Sequence, residues 1–292
     1  MPRKKVLITV TTYPLPSRSY DELVCTAGIC DDGTWIRIYP VPFKFLRGLR
    51  NDGVVNTYKF TWIELDLRRR TEDFRPESHS PINYSFSDLA VYESIDIKGG
   101  NKAKLNAWKQ RKLWCTGNVY IDMTQLIVDS ESPKNVSLAT FKPTKLLSLD
   151  HEEDEREWKQ EWKEQLSQLQ LFVPNQDNQV PRKLIPKLPY RFFYRFEDCK
   201  GRISRLMIED WEIGQLYFNC MNTYKNEQTA IEKVKEKYWD YFTSRDLFFF
   251  LGTTKEWHMR RAKNPFVIIG VFYPPIIPIE TYTKDSQLKF EF

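Results

Sequence analysis

Apolar and polar side chains alternate along this chain in a pattern that marks strands in two series. In the segment 35–39, Ile36 and Ile38 fall on one face, and Trp35, Arg37 and Tyr39 on the other. In 62–68, Ile63, Leu65 and Leu67 share one face, while Glu64, Asp66 and Arg68 share the opposite one. Two apolar runs precede these, 6–10 and 23–29, and the glycine turn Asp31-Asp32-Gly33 joins the second to a strand at 34–39. A short helix is expected at 43–50, preceded by Pro40 and Pro42, then a strand at 60–67 and a fifth at 89–97. The second series opens with an extended stretch at 137–149, where Pro143 argues for an edge position. Strands at 190–196 and 203–208 follow, joined through Cys199-Lys200-Gly201. The runs 247–251 and 266–272 are almost continuously apolar, as expected of strands covered on both faces.

Helical spacing appears between these runs. Asn101 is placed to cap a basic helix over 103–113. Residues 152–169 carry the stripe Trp158, Trp162, Leu166 and Leu169, with acidic first turns that suit the helix dipole. Asp210 is placed to cap a helix over 211–222, and 227–242 carries Ile231, Val234, Tyr238 and Phe242 on one side. The proline-rich stretch 174–189 reads as a loop.

A hairpin, a third strand, a helix and a fourth strand follow the order of a five-stranded Greek-key OB barrel, and here the order occurs twice. The expected fold is mainly β with α, two tandem OB-like barrels with inserted helices. The first barrel spans 1–100, a helical connector 101–136, and the second barrel 137–292 with helices at 152–170 and 211–242. The copies differ: long helices interrupt the second, which reads as the more structural one.

Composition sharpens this picture. Of 292 residues, 41% are hydrophobic and 15% aromatic, which fits a globular chain. The N-terminal residues are basic, but the apolar run behind them is short for a signal peptide and reads as a first strand. Five cysteines without CxxC spacing suggest reduced thiols and a cytoplasmic setting. Net charge is only +5, yet it is uneven: 68–70, 102–112 and 182–205 are basic, while 152–157 is acidic. A positive face on a nearly balanced protein is the expectation.

Catalytic motifs are sparse. His79, His151 and His258 are the only histidines, and none stands at metal-ligand spacing from a Cys or another His. No phosphate loop, dinucleotide fingerprint or nucleophile elbow occurs. Glu64 and Asp66 share a strand face, but Arg68 takes the place of the lysine expected in a restriction-type nuclease. Glu209, Asp210 and Glu212 cluster at a strand-to-helix turn, where capping explains Asp210 and the helix dipole favours Glu212. No catalytic residue, metal or cofactor is therefore assigned; a metal-dependent nuclease is the alternative reading, and a nucleotide-sensing or protein-interaction adaptor another.

The positive signal is aromatic and basic residues interleaved on strands, since bases stack on aromatic rings while arginines neutralise phosphates. Trp35, Arg37 and Tyr39 fit, as do Arg191, Phe193 and Arg195, with Arg202 and Arg205 on the next strand, where alternation puts those two on opposite faces. A third group, Lys255, Trp257 and His258, precedes Arg260, Arg261 and Lys263 in the loop between the last two strands, a loop that helps clamp ligands in OB barrels. The expected partner is nucleic acid, RNA or single-stranded DNA, with no membrane involvement.

Several stretches spread over nearly the whole chain carry a family likeness: residues 22–29 with Trp35-Ile-Arg-Ile-Tyr-Pro-Val-Pro, Arg75-Pro-Glu-Ser, Arg205-Leu-Met-Ile-Glu-Asp-Trp-Glu, Phe249-Phe-Leu-Gly-Thr and 266–274. In these the chain resembles the prokaryotic dual OB-fold domain proteins. The resemblance implies two OB units, a nucleic-acid-binding or sensing role, and for some members a place in bacterial conflict and anti-phage systems, including partner proteins of a defence complex. It brings no catalytic motif with it.

Overall fold

A computed structural model describes residues 3–12, 15–16, 22–42, 58–160 and 185–277. The N-terminal half is one sheet of β1 (Arg3–Thr11), β2 (Leu15–Pro16), β3 (Glu22–Cys30), β4 (Trp35–Pro42), β5 (Thr61–Arg69), β6 (Ser78–Pro81) and β7 (Ala90–Ser94). Five of these close on themselves in the order β1–β3–β4–β6–β5–β1. All pairs are antiparallel except β4–β6, where Arg37 faces Ser78 and Ile38 faces His79. Counted along the barrel, first pairs second, second third, third fifth, fifth fourth and fourth first, the circuit of an OB barrel.

The closing strand differs from the expected one. Residues 89–97 contribute β7, which pairs with β5 but stands outside the circuit. Closure falls to β6, Ser-His-Ser-Pro, which shows no apolar alternation. This polar strand is buried because hydrogen bonds replace apolar packing: the Ser78 hydroxyl accepts from Arg37 and the Ser80 hydroxyl donates to the Tyr39 carbonyl. The helix expected at 43–50 lies outside the described residues.

Val6, Ile8, Ile36, Ile38, Ile63, Leu65, Leu67 and Phe86 fill the barrel. Gly28 allows β3 to approach β1, since a Cβ there would lie 2.4 Å from the Leu7 carbonyl oxygen and 2.6 Å from Val6 Cγ1. Gly28→Ala should therefore cost about 1–3 kcal/mol through forced backbone displacement, read as a lower Tm in thermal unfolding.

The chain continues with α1 (Asn101–Cys115), β8 (Val119–Tyr120), α2 (Met123–Asp129), β9 (Leu138–Phe141), β10 (Lys145–Glu153), β11 (Tyr190–Glu197) and β12 (Ile203–Met207). It ends with α3 (Trp211–Tyr224), α4 (Glu227–Lys235) running into a π-helical turn at Glu236–Tyr241, β13 (Phe248–Thr253), α5 (Lys255–Met259) and β14 (Phe266–Phe272). Gly100 stands at the N-cap of α1 and makes no side-chain bond, so Asn101 is the first helical residue rather than the cap. Asp210 does cap α3, accepting from the Glu212 N–H. β10 runs through Glu153 because Glu152 pairs with Arg191 across the ladder, so the helix expected from 152 starts no earlier than Gln160, and its remainder lies outside the described residues. Of the expected loop at 174–189, only 185–189 is described.

These strands form two sheets, β10–β11–β12 and β14–β13–β9–β8, rather than a second closed ladder. The extended stretch expected at 137–149 breaks at 142–144, around Pro143, and its two pieces enter different sheets. One parallel bridge, Ile208 to Ile268, links the end of β12 to β14. Ile213 and Tyr217 of α3, Ile231 and Val234 of α4, and Tyr238 and Phe242 beyond it bury Phe249, Leu251, Ile268 and Val271. The other face of β13–β14 packs on the barrel. Leu7, Val10, Ala27, Ile29, Phe60 and Trp62 share a cluster with Leu138, Phe248, Phe250, Ile269 and Phe272. Coverage on both sides is why β13 and β14 read as continuous apolar runs.

Candidate functional site

Alternation on β4 points Trp35, Arg37 and Tyr39 out of the barrel, as the pattern predicts, but the outside of the barrel is the junction with the second half. Trp35 meets Phe250 edge-on with ring centroids 5.2 Å apart. Arg37 is 4% exposed, and its guanidinium donates to Ser137 Oγ at 2.8 Å, the Ser137 carbonyl at 3.2 Å and Ser78 Oγ at 3.3 Å. Tyr39 is half-buried beneath the Arg70 guanidinium, 5.2 Å from its ring. The expectation that Arg37 meets phosphate fails, because its donors are consumed inside the protein. Trp35 is a packing residue of the same junction.

The stretch Arg75-Pro-Glu-Ser closes this junction as a polar clasp. Arg75 donates to the Thr253 carbonyl at 2.7 Å and holds Asp73 in a two-pronged pair at 2.9 and 2.6 Å. The Glu77 carboxylate accepts from the Ser137 N–H at 2.9 Å and the Ser137 hydroxyl at 2.7 Å. Burial opposes ionisation of Asp73, but the Arg75 guanidinium outweighs it and holds that carboxyl far below the usual carboxylate range. A second clasp joins Lys59 to Glu212 Oε2 at 2.7 Å and to Asp210 Oδ2 at 3.8 Å.

The sheet β10–β11–β12 presents the other predicted group. Phe192, Tyr194 and Phe196 enter the core, while Arg191 and Arg195 are exposed on the opposite face with Phe193. Register sets Arg195 directly opposite Arg205, and Phe193 opposite Met207. The Arg205 guanidinium lies 3.7 Å from the centroid of the Phe193 ring, which leaves Phe193 only 9% exposed. Phe193 is therefore a platform for an arginine, not the open stacking surface that was expected. Arg205 also reaches Glu152 at 2.7 Å and Asp150 at 3.4 Å. Arg191 is 3.9 Å from Glu152, and Arg195 has no ion pair or hydrogen bond among the described residues. Arg202 stands at the hairpin turn, half-buried, and donates to Thr124 Oγ1 at 3.0 Å. Arg205 is the residue that strand alternation alone undervalues, yet counting back through the turn from Arg195 locates it.

The loop after β13 is a short helix, capped by Thr254. Trp257 is 51% exposed, beside Arg260. Lys255 donates to the Glu72 carbonyl at 2.6 Å. His258 is 7% exposed and turned inward: Nε2–H donates to the Ser130 carbonyl, and Nδ1 lies 2.9 Å from the Thr253 hydroxyl, which donates to it in the neutral ring. Burial lowers its pKa and favours the same state. His258 is thus structural, and only Trp257 of this group offers an aromatic face to solvent.

Neither carboxylate set gathers into a metal centre. Glu64 accepts from the Tyr92 hydroxyl and pairs with Arg3 at 3.1 Å, and Asp66 is 4.0 Å from the same arginine. Asp210 and Glu212 serve the α3 cap and the Lys59 clasp. Among the described residues no group of three or more His, Cys, Asp or Glu side chains is arranged to hold a metal ion. The five cysteines are unpaired, and no helix among the described residues is long and apolar enough to cross a membrane.

No curated protein matches the chain. Among solved structures, a murine DNA-binding protein bound to double-stranded DNA aligns over 95% of this chain and 98% of its own, at 9% identity and a TM-score of 0.30. A likeness at that level says nothing about a ligand. Two family models divide the sequence between them, the domain of unknown function DUF8758 over residues 2–117 and the domain of unknown function DUF8757 over residues 121–291, meeting just after α1. With more than half its length matched by the second, the chain belongs to the DUF8757 family.

Proposed function

We propose that the protein is a non-catalytic recognition module for single-stranded nucleic acid, RNA or DNA, and that the open face of β10–β11–β12 is its contact surface. One observation carries this reading. Arg195 and Arg205 face each other across a solvent-exposed ladder position; Arg205 is held by Glu152 and Asp150, while Arg195 has no ion pair among the described residues and presents its guanidinium to an incoming anion. Arg191 extends the row along β11, and Ile203, 52% exposed, stands two residues from Arg205 on β12, opposite Glu197.

The second half also follows OB connectivity if β9 and β10 count as one broken strand. Its order is then β10–β11–β12, the Ile208–Ile268 bridge, β14, β13 and back to β9, with the parallel contact at the same place as in the first barrel. On this reading β11–β12 is the strand pair OB folds use for oligonucleotides. In the first barrel the equivalent pair, β3–β4, is spent on the junction. The tandem barrels then divide labour in the reverse of the expected sense: the first anchors and the second, read from the sequence as the more structural one, binds. Trp257 lies on the loop between the fourth and fifth strands of the binding unit and supplies a stacking ring. A place in a prokaryotic defence complex is part of the proposal and rests on the resemblance to dual OB-fold proteins.

Fluorescence anisotropy with labelled single-stranded RNA, single-stranded DNA and duplex DNA tests the reading. Three arginines on one face should give saturable binding to a single strand, with log K falling against log salt at a slope of about 2, at roughly 0.7 per neutralised phosphate. Absence of saturable binding to any strand type at low salt would sink the idea.

A further inference from the structure

A cleft of about 200 Å³ opens at the junction, where the barrel, α1 and β14 meet, lined by Lys59, Phe60, Trp108, Arg111, Glu212 and Tyr273 among others. Arg111 is its unusual member. The residue is only 7% exposed, and its guanidinium carbon lies 4.0 Å from the Phe60 ring centroid and 5.5 Å from that of Trp108. Nε–H donates to the Ile95 carbonyl at 2.7 Å, while both Nη groups find no acceptor among the described residues. No carboxylate of the described residues forms an ion pair with it, because Glu212 is taken by Lys59 at 2.7 Å. The Tyr273 hydroxyl, in the same lining, also makes no hydrogen bond among the described residues.

A guanidinium packed between aromatic rings, with donors that no group among the described residues uses and that open on a cleft, is set to take an anion there. Its planar fork matches the oxygens of a phosphate or carboxylate two at a time. Burial pushes the guanidinium down to about 10. We propose that this junction cleft binds the phosphate group of a small ligand, with Arg111 as the bidentate donor, Tyr273 as a further donor and the Trp108 ring as one wall. The cleft holds a phosphate group and leaves the rest of a mononucleotide to project through its open side. This site is separate from the β10–β11–β12 face. Because its walls come from both halves, an occupant tightens the junction.

Isothermal titration of the full chain with sodium phosphate, adenosine monophosphate and adenosine tests the assignment. Phosphate or the monophosphate should bind saturably, with adenosine at least tenfold weaker. Arg111→Gln should weaken binding tenfold or more, and Arg111→Lys, which keeps the charge but not the fork, at least threefold. The double variant Arg195→Glu/Arg205→Glu should leave phosphate binding unchanged, which separates this site from the sheet face. No saturable heat with either phosphate compound overturns the proposal, as does equal binding of adenosine, or loss only in the sheet-face variant. If Arg111→Gln proves unfolded by circular dichroism, the Lys variant decides, and undiminished binding there overturns it.

Discussion

Asp73→Ala should remove about 3–5 kcal/mol of stability, the cost typical of breaking one side of a buried ion pair. The pair is almost fully enclosed, with side-chain exposures of 9% for Arg75 and 4% for Asp73. Removing the carboxylate strands a guanidinium that must also keep its bond to the Thr253 carbonyl, so the damage reaches β13 and the junction. Urea denaturation at pH 7 measures the loss. Asp73→Ala/Arg75→Met should recover part of it, because an apolar side chain of similar length leaves no orphan charge. The pH dependence follows from the same pair. The folded-state pKa of Asp73 lies below its unfolded value, so the pair's contribution is complete above the ordinary carboxylate range and fades as pH falls through it. The wild type should therefore lose stability between about pH 5 and pH 2 more steeply than Asp73→Ala. Equal acid slopes would show that Asp73 does not contribute in this way.

Reversing both facing arginines, Arg195→Glu/Arg205→Glu, should weaken single-strand binding by about 100-fold or more at low salt and flatten its salt dependence. Two phosphate contacts vanish and two repulsions replace them, each worth on the order of 1 kcal/mol or more near the surface. Stability should fall by no more than about 1–2 kcal/mol: Arg195 makes no ion pair among the described residues, and the change at Arg205 uncovers Phe193 and sets a third carboxylate beside Asp150 and Glu152, all near the surface. Unchanged affinity in this variant would place the interface elsewhere.

Most strands of both halves are legible in the sequence because one face of each carries apolar residues at period two or the run is apolar throughout. β6 is not legible, since Ser78 and Ser80 are buried through bonds to Arg37 and the Tyr39 carbonyl that only the closed barrel creates. Alternation places Arg37 outside its barrel, yet a single-sequence pattern cannot show that the outside of one barrel is the inside of the whole. That is why Trp35 and Arg37 read as ligand contacts and turn out to hold the junction. The face of β11 was readable because exposed arginines alternate with buried aromatics there. Arg111 was hidden for the opposite reason: on a basic helix, Lys102 to Lys112, nothing distinguishes one buried cation from its solvated neighbours. The motifs that carry the family resemblance, Arg75-Pro-Glu-Ser and the Asp210–Glu212 stretch, prove to be the clasps between halves.

The central claim is that the second sheet, and not the first barrel, touches nucleic acid. Photocrosslinking a 4-thiouridine-labelled single strand to the full chain, followed by mass spectrometry of the peptides, tests it most directly. The account predicts crosslinks on residues 190–207 and around Trp257, with none on 22–42. Crosslinks concentrated on the β3–β4 hairpin would contradict it.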